Sequence, residues 1–166
     1  KGVGFLSRED AINYGVTGPS GRGSGWACDV RKRSPYAAYD KVQFDEVLYN
    51  EGDSYARYMV RMKEIEQSLH ILEQLVDNIP EGDYLAKTKP IIKVPEGRYF
   101  KEVEAARGAF GIYLESRGDK FPYRLKVNSP GFNLVGAVDH MTRGSKIADL
   151  IAIGGSLDYV VPDIDR

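Results

Sequence analysis

From position 53 to 79, apolar residues recur at three- and four-residue steps: Tyr55, Tyr58, Met59, Met62, Ile65, Leu69, Leu72, Val76 and Ile79. That spacing predicts one apolar face of a long amphipathic helix. Arg57, Arg61, Lys63, Glu64, Glu66 and Gln67 fall mostly off the face, and Pro80 and Gly82 stop the helix. It is the strongest element in the chain, and the remaining segments have to be arranged around it.

The flanking segments are shorter. Ser7-Arg-Glu-Asp10 reads as a helix start, with Ser7 as the cap and Gly15 as the end. The run Gly18-Pro-Ser-Gly-Arg-Gly-Ser-Gly25 is expected to hold no regular structure, and residues 39–44 to form a short strand. Residues 81–97 carry Pro90 and Pro95 and read as a connector. Segments 99–106, 109–115 and 123–127 alternate or are rich in β-formers. Arg107-Gly108 and Arg117-Gly-Asp-Lys120 separate them, which predicts a small antiparallel meander. Pro130 opens a helical region over 132–141, broken at Gly144, and a further helix runs from Ser145 to about Ile153. Helix, loop, long helix, strands and helices in that order define an α+β chain.

Composition narrows the chemistry. At 166 residues, 42% hydrophobic and 28% charged, the chain fits one domain of ordinary size with a real core. A net charge of −1 gives no general field for nucleic acid. The single cysteine, Cys28, excludes an internal disulfide and any cysteine-rich metal or iron–sulfur site in this chain. No apolar run approaches the ~20 residues a membrane-spanning helix needs. A start at Lys1 rather than Met leads us to expect a piece of a longer protein.

Several motifs have ordinary readings. The glycine-rich run lacks the Gly-Lys-Ser/Thr of a phosphate-binding loop, so nucleotide binding there is disfavoured. Its glycines instead suit backbone lying against a neighbouring surface, with Arg22 as anchor. Arg57 and Arg61, one turn apart, read as scaffold on a polar helix face. His70 and His140 have no ligand-like spacing, and His140 suits a helix C-terminus. Arg107 stays protonated at physiological pH, so it serves as an electrostatic or hydrogen-bonding partner rather than a cycling proton donor.

Taken in order, the motifs carry a resemblance. They are Gly15-Val-Thr-Gly-Pro19, Arg22-Gly-Ser-Gly25 and Asp29-Val-Arg31, the segment Gly52–Leu69, Glu104-Ala-Ala-Arg-Gly108, Pro122-Tyr-Arg-Leu-Lys126 and Ala148-Asp-Leu-Ile-Ala-Ile-Gly-Gly-Ser-Leu-Asp158. Together they resemble the C-terminal part of the 49 kDa, or D-type, family of respiratory complex I, homologous to [NiFe] hydrogenase large subunits. The final residues, Asp158-Tyr-Val-Val-Pro-Asp-Ile-Asp-Arg166, are similar to a nickel–iron tail that has lost its thiolates. Val160 and Asp163 stand where the metal-binding cysteines would be, which selects the branch without metal. The chain departs from the family pattern at Ala106, where a proline is usual, and this loosens the placement of Arg107.

The resemblance implies a hydrogenase-large-subunit-like fold, with residues 1–166 as the C-terminal fragment of a longer domain whose N-terminal half is absent. It implies a subunit that helps form a quinone cavity beside the terminal iron–sulfur cluster. Quinone is then the substrate, the clusters lie in partner subunits, and NADH or a reduced deazaflavin is the distal donor; this chain binds no cofactor of its own. Arg107, Asp158 and Val160 are the implied cavity residues, and Arg22, Asp163, Asp165 and Arg166 the implied contacts to the cluster-bearing small subunit. The location implied is peripheral, at the cytoplasmic face of the cell membrane, with the membrane arm met only indirectly. The fragment alone is expected to be inactive, and to self-associate through apolar helix faces left exposed. The competing expectation is a non-catalytic scaffold that only holds the cluster-bearing subunit.

Overall fold

The computed structural model describes residues 1–165. Helix α1, Arg8–Tyr14, starts where the Ser7 hydroxyl accepts the Asp10 N–H at 3.0 Å. It ends at Gly15, whose positive φ of 68° lets its N–H return to the last carbonyls. The glycine-rich run that follows is more ordered than expected. Residues Gly18–Arg22 form one buried helical turn, α2, with Pro19 in its first turn. A Cβ on Gly21 would lie 2.3 Å from the Val16 carbonyl oxygen, so the missing side chain is what admits the turn into the interior.

Asp29 caps the four-residue α3, Val30–Arg33, by accepting the Arg31 N–H. The strand expected at 39–44 does not form. Residues 37–41 make turns instead, with Tyr39 N–H to Tyr36 O and Lys41 N–H to Ala38 O. The apolar side chains of this segment pack on the long helix rather than on a partner strand: Tyr39, Val42 and Phe44 cluster with Ile71 and Leu75.

The long helix α4 spans Ser54–Val76, capped by the Asp53 carboxylate, which accepts the Ala56 N–H at 2.7 Å. Its buried positions are Ala56, Arg57, Val60 and Ile71. Its apolar stripe, Tyr55, Tyr58, Met62, Ile65, Leu69, Leu72 and Val76, is exposed. The helix therefore turns its arginine-bearing face inward and presents the apolar face outward, as expected of a face with no partner in this chain.

Strands β1 (Gly97–Ala105), β2 (Gly108–Ser116) and β3 (Arg124–Asn128) form the antiparallel meander in the order β1-β2-β3. Ala105 pairs with Gly108, so the β1–β2 connection is a two-residue turn, Ala106-Arg107. The helical region after Pro130 divides at Ala137 into α5 (Pro130–Gly136) and α6 (Val138–Thr142). Helix α7, Ile147–Leu157, runs through Gly154 and Gly155 because Ile153 and Leu157, four apart, are both fully buried. A final turn, α8, covers Val161–Ile164. The main core joins Leu6, Ala11 and Val16 to Leu134, Ala137, Met141, Ile153 and Leu157, and so ties the first residues to the last helices.

Candidate functional site at the β1–β2 turn and the end of α7

The two-residue turn aims Arg107 at the C-terminus of α7. Its Nε donates to the Asp158 backbone carbonyl, and Nη2 lies 3.5 Å from Asp158 Oδ1. The side chains of Arg107 and Asp158 are 30% and 48% exposed, so the pair is open to whatever approaches this surface. Asp158 closes α7 in the left-handed region, at φ 57°, ψ 37°, returning its N–H to the Gly154 carbonyl. This rotates the chain out of the helix and lays the Asp158 carbonyl and carboxylate toward the turn.

Two arginines of α4 hold that helix end. Arg57 is completely buried. Its Nε donates to Ser156 Oγ at 2.9 Å, Nη1 to the Gly52 carbonyl, and Nη2 to the Gly4 carbonyl and Ser54 Oγ. Burial, with added repulsion from Arg61 and only partial relief from Asp53, pulls its guanidinium down to about 10. It is still a cation at neutral pH, held by neutral oxygens. Arg61 lies one turn on, bonded to the Arg57 carbonyl and 3.5 Å from the Leu157 carbonyl. Burial also lowers Arg61, against the attraction of Asp158 and Glu64. Cations at the carboxyl end of a helix oppose its dipole favourably.

On the other side of the turn lies a buried charge cluster. Glu104 of β1 accepts Arg22 Nη1 at 2.7 Å and the Val30 N–H at 3.0 Å, while Glu64 accepts Arg22 Nε at 2.6 Å. Asp29 lies 3.9 Å from Arg22 and holds Arg31 at 2.6 Å. Burial tends to lower Arg22, but attraction from Glu104 and Glu64 outweighs it and raises the guanidinium above its ordinary value. Burial, with repulsion from Asp29, keeps Glu104 above the usual carboxylate range despite Arg22. The result is a junction of α2, α3, α4 and β1, whose Glu104 lies three residues before Arg107 in the chain.

The remaining residues singled out in the sequence are dispersed. Val160 is half-buried at the start of α8. Asp163 is half-buried with Oδ2 against Gly131 of α5, and Asp165 is exposed. Arg166 lies outside the described residues. Arg22, expected to anchor against a neighbouring subunit, has a side chain only 2% exposed and bonds Glu64 and Glu104 inside this chain. His140 lies 3.3 Å from Asp10, and exposed His70 is 3.8 Å from Glu73. Sequence reasoning assigned no individual role to Glu104 and placed Glu64 only off the apolar face of the long helix. No local signal marks either: Arg22 lies 82 positions from Glu104 and 42 from Glu64. No helix among the described residues is long and apolar enough to cross a membrane. Also among these residues, no group of three or more His, Cys, Asp or Glu is placed to hold a metal ion.

Comparison with known proteins gives this geometry a context. A family model described as the 49 kDa subunit of respiratory-chain NADH dehydrogenase matches residues 1–93 and 88–166. Over 166 residues the chain is 68% identical to the NADH-quinone oxidoreductase C/D subunit of Phocaeicola vulgatus, covering 100% of this chain and 32% of that protein. To the C/D subunit of Bacteroides fragilis it is 69% identical over the same length, covering 31% of that protein. To the NADH-quinone oxidoreductase D subunit of Desulfotalea psychrophila it is 54% identical over 167 residues, 100% of this chain and 45% of that protein. The chain thus spans less than half the length of these curated relatives.

Proposed function

The chain belongs to the 49 kDa subunit family of respiratory-chain NADH dehydrogenases, and from that premise we propose that it supplies one wall of a quinone-binding cavity in an NADH-quinone oxidoreductase. The observation that carries this is the junction of Arg107 with Asp158, 51 positions apart and brought together at an open surface. Reduction of a quinone to a quinol takes two electrons and two protons and passes through states with negative charge on the carbonyl oxygens. A fixed guanidinium stabilises such charge by hydrogen bonding without giving up its own proton. Asp158 beside it serves as a paired anion that orients the guanidinium, and half-buried Val160 adds an apolar surface nearby in the chain.

Electrons reach the cavity from NADH through iron–sulfur clusters held by partner subunits. The names of the relatives favour NADH over a deazaflavin as donor. The fragment alone, lacking those partners, does not reduce quinone. The subunit is peripheral, at the cytoplasmic face of the cell membrane, and meets the membrane arm of the complex only indirectly.

The test is quinone-reductase turnover of the intact complex carrying Arg107→Ala, with assembly followed on a native gel. Normal assembly with quinone turnover sharply lowered but still measurable is the expected result. Normal assembly with normal turnover would overturn the cavity role and leave the scaffold reading, in which this region only holds the cluster-bearing subunit.

A further inference from the structure

Thr17 occupies the N-cap position of α2 with extended backbone, yet its hydroxyl makes no cap bond there. A threonine in that position ordinarily accepts an N–H from the first turn of its own helix. Here Oγ1 accepts the backbone N–H of Ala109, 92 positions away, at 2.9 Å. The strand register explains why that N–H is free to be taken. Ala105 and Gly108 flank the turn, and Glu104 and Ala109 form the next pair. In an antiparallel ladder, pairs alternate between exchanging hydrogen bonds and pointing their N–H groups outward. On the outer edge of β2, pairing with β3 begins only at Gly111 opposite Asn128, so β3 does not reach Ala109. On the outer edge of β1, the Glu104 N–H donates to the Tyr36 hydroxyl at 3.1 Å. The hairpin tip is therefore gripped from both edges by side-chain hydroxyls.

The Thr17 side of the grip is also the closer one. A Cβ on Gly18 would lie 2.5 Å from both the Arg107 carbonyl oxygen and Gly108 Cα, and one on Gly108 would lie 2.5 Å from Thr17 Oγ1. Both glycines have positive φ, 69° and 136°. The backbone of Gly15-Val-Thr-Gly-Pro19 is thus pressed directly on the backbone of the residue that bears the guanidinium.

We propose that Thr17 is a positioning residue for Arg107, setting through the Ala109 N–H the height and tilt of the turn that delivers the guanidinium to Asp158 and to quinone. The proposal rests on the cavity reading above. Thr17→Val keeps the branched shape and removes the acceptor, leaving a nearly buried N–H unpaired, while Thr17→Ser keeps the acceptor. In the intact complex, Thr17→Val raises the quinone KM about three- to tenfold, the size expected from one lost hydrogen bond. Assembly, and NADH oxidation by an artificial acceptor that takes electrons before quinone, stay normal. Thr17→Ser restores the wild-type KM. In an Arg107→Ala background Thr17→Val adds nothing, because the residue it acts through is gone.

A wild-type KM for Thr17→Val beside an impaired Arg107→Ala overturns the positioning role and leaves the cavity reading standing. Additive effects of the two substitutions overturn it as well. A neutral Arg107→Ala removes the cavity reading, and the proposal falls with it. If Thr17→Val fails to assemble, Thr17→Ala takes its place. Failure of both hydroxyl-free variants, with Thr17→Ser assembling, makes Thr17 a structural residue only and overturns the proposal.

Discussion

Arg107 meets Asp158 in two different ways: Nε donates to the Asp158 main-chain carbonyl, and Nη2 faces its carboxylate at 3.5 Å. The first contact survives any side-chain substitution at 158 and the second does not. Asp158 is also one of two non-glycine residues with positive φ among those described, a conformation costing about 1 kcal/mol or more for a residue with a Cβ.

These facts make Asp158→Gly diagnostic. Glycine relaxes the left-handed backbone and keeps the carbonyl acceptor, while the lost ion contact is partly exposed and contributes little. The thermal midpoint of the variant is expected to equal or exceed that of the parent, while quinone turnover in the assembled complex falls. A lowered midpoint would show that the carboxylate holds the fold together rather than serving the site.

The opposite balance holds at Arg22. Removing its side chain strands Glu104, and partly Glu64, as buried anions without their cation. Arg22→Ala is expected to cost about 3–5 kcal/mol of stability in urea unfolding. Arg22→Lys recovers little of this, because one ammonium cannot reproduce the separate Nε and Nη1 bonds. A loss below about 1 kcal/mol for the alanine variant would mean that the carboxylates find other partners or take up protons at no cost.

What could be read from the sequence divides along the range of the forces involved. Ser7 and Gly15 act on backbone groups a few positions away, and strand alternation is equally local, so α1 and the meander were legible, although the β1–β2 turn falls at Ala106-Arg107 rather than at Arg107-Gly108. The helical turn at α2 was hidden, because contacts remote in sequence stabilise it and composition alone argues for a loop. Periodicity correctly found the helix α4 and its stripe, but it cannot say which face is inward. The burial of Arg57 depends on carbonyls at Gly4 and Gly52 and on Ser156, none of them close on its own helix. The meeting of Arg107 and Asp158 was anticipated only through the resemblance to a family. The Arg22–Glu104 pair, 82 positions apart, left no local trace.

Acid should expose the carboxylate caps. Burial tends to raise Asp53, but the N–H groups of Ala56 and Gly2 outweigh it and hold the folded carboxyl below its ordinary 3.8. Asp29 is lowered in the same sense, Arg31 and Arg22 overcoming burial. With a depressed folded value, the unfolded chain takes up protons first as pH falls. The stabilisation is therefore complete above pH 3.8 and is lost as pH drops through the folded values. Glu104 is raised above 4.5 and works with the opposite sign, favouring the folded state as pH falls toward 4.5 and so delaying the acid loss. Asp53→Asn is expected to show a smaller drop in thermal midpoint between pH 6 and pH 3 than the parent chain. An equal drop in both would remove Asp53 from the acid transition.

The outward face of α4 gives the last expectation. Ile65, Leu69, Leu72 and Val76 follow one another at three- and four-residue steps and are each more than half exposed. Together with Tyr58 and Met62 they make a continuous apolar stripe of the kind that rarely stays in water. The isolated chain should therefore associate with itself as its concentration rises, read by sedimentation velocity. Ile65→Glu combined with Leu72→Glu interrupts the stripe on the solvent side without touching the buried Ala56, Arg57, Val60 or Ile71. Each of these surface changes should alter monomer stability by no more than about 0.5 kcal/mol, so a loss of association with an unchanged unfolding midpoint is the expected outcome. A parent chain that stays monomeric across the same concentrations would show that water tolerates this face as it stands.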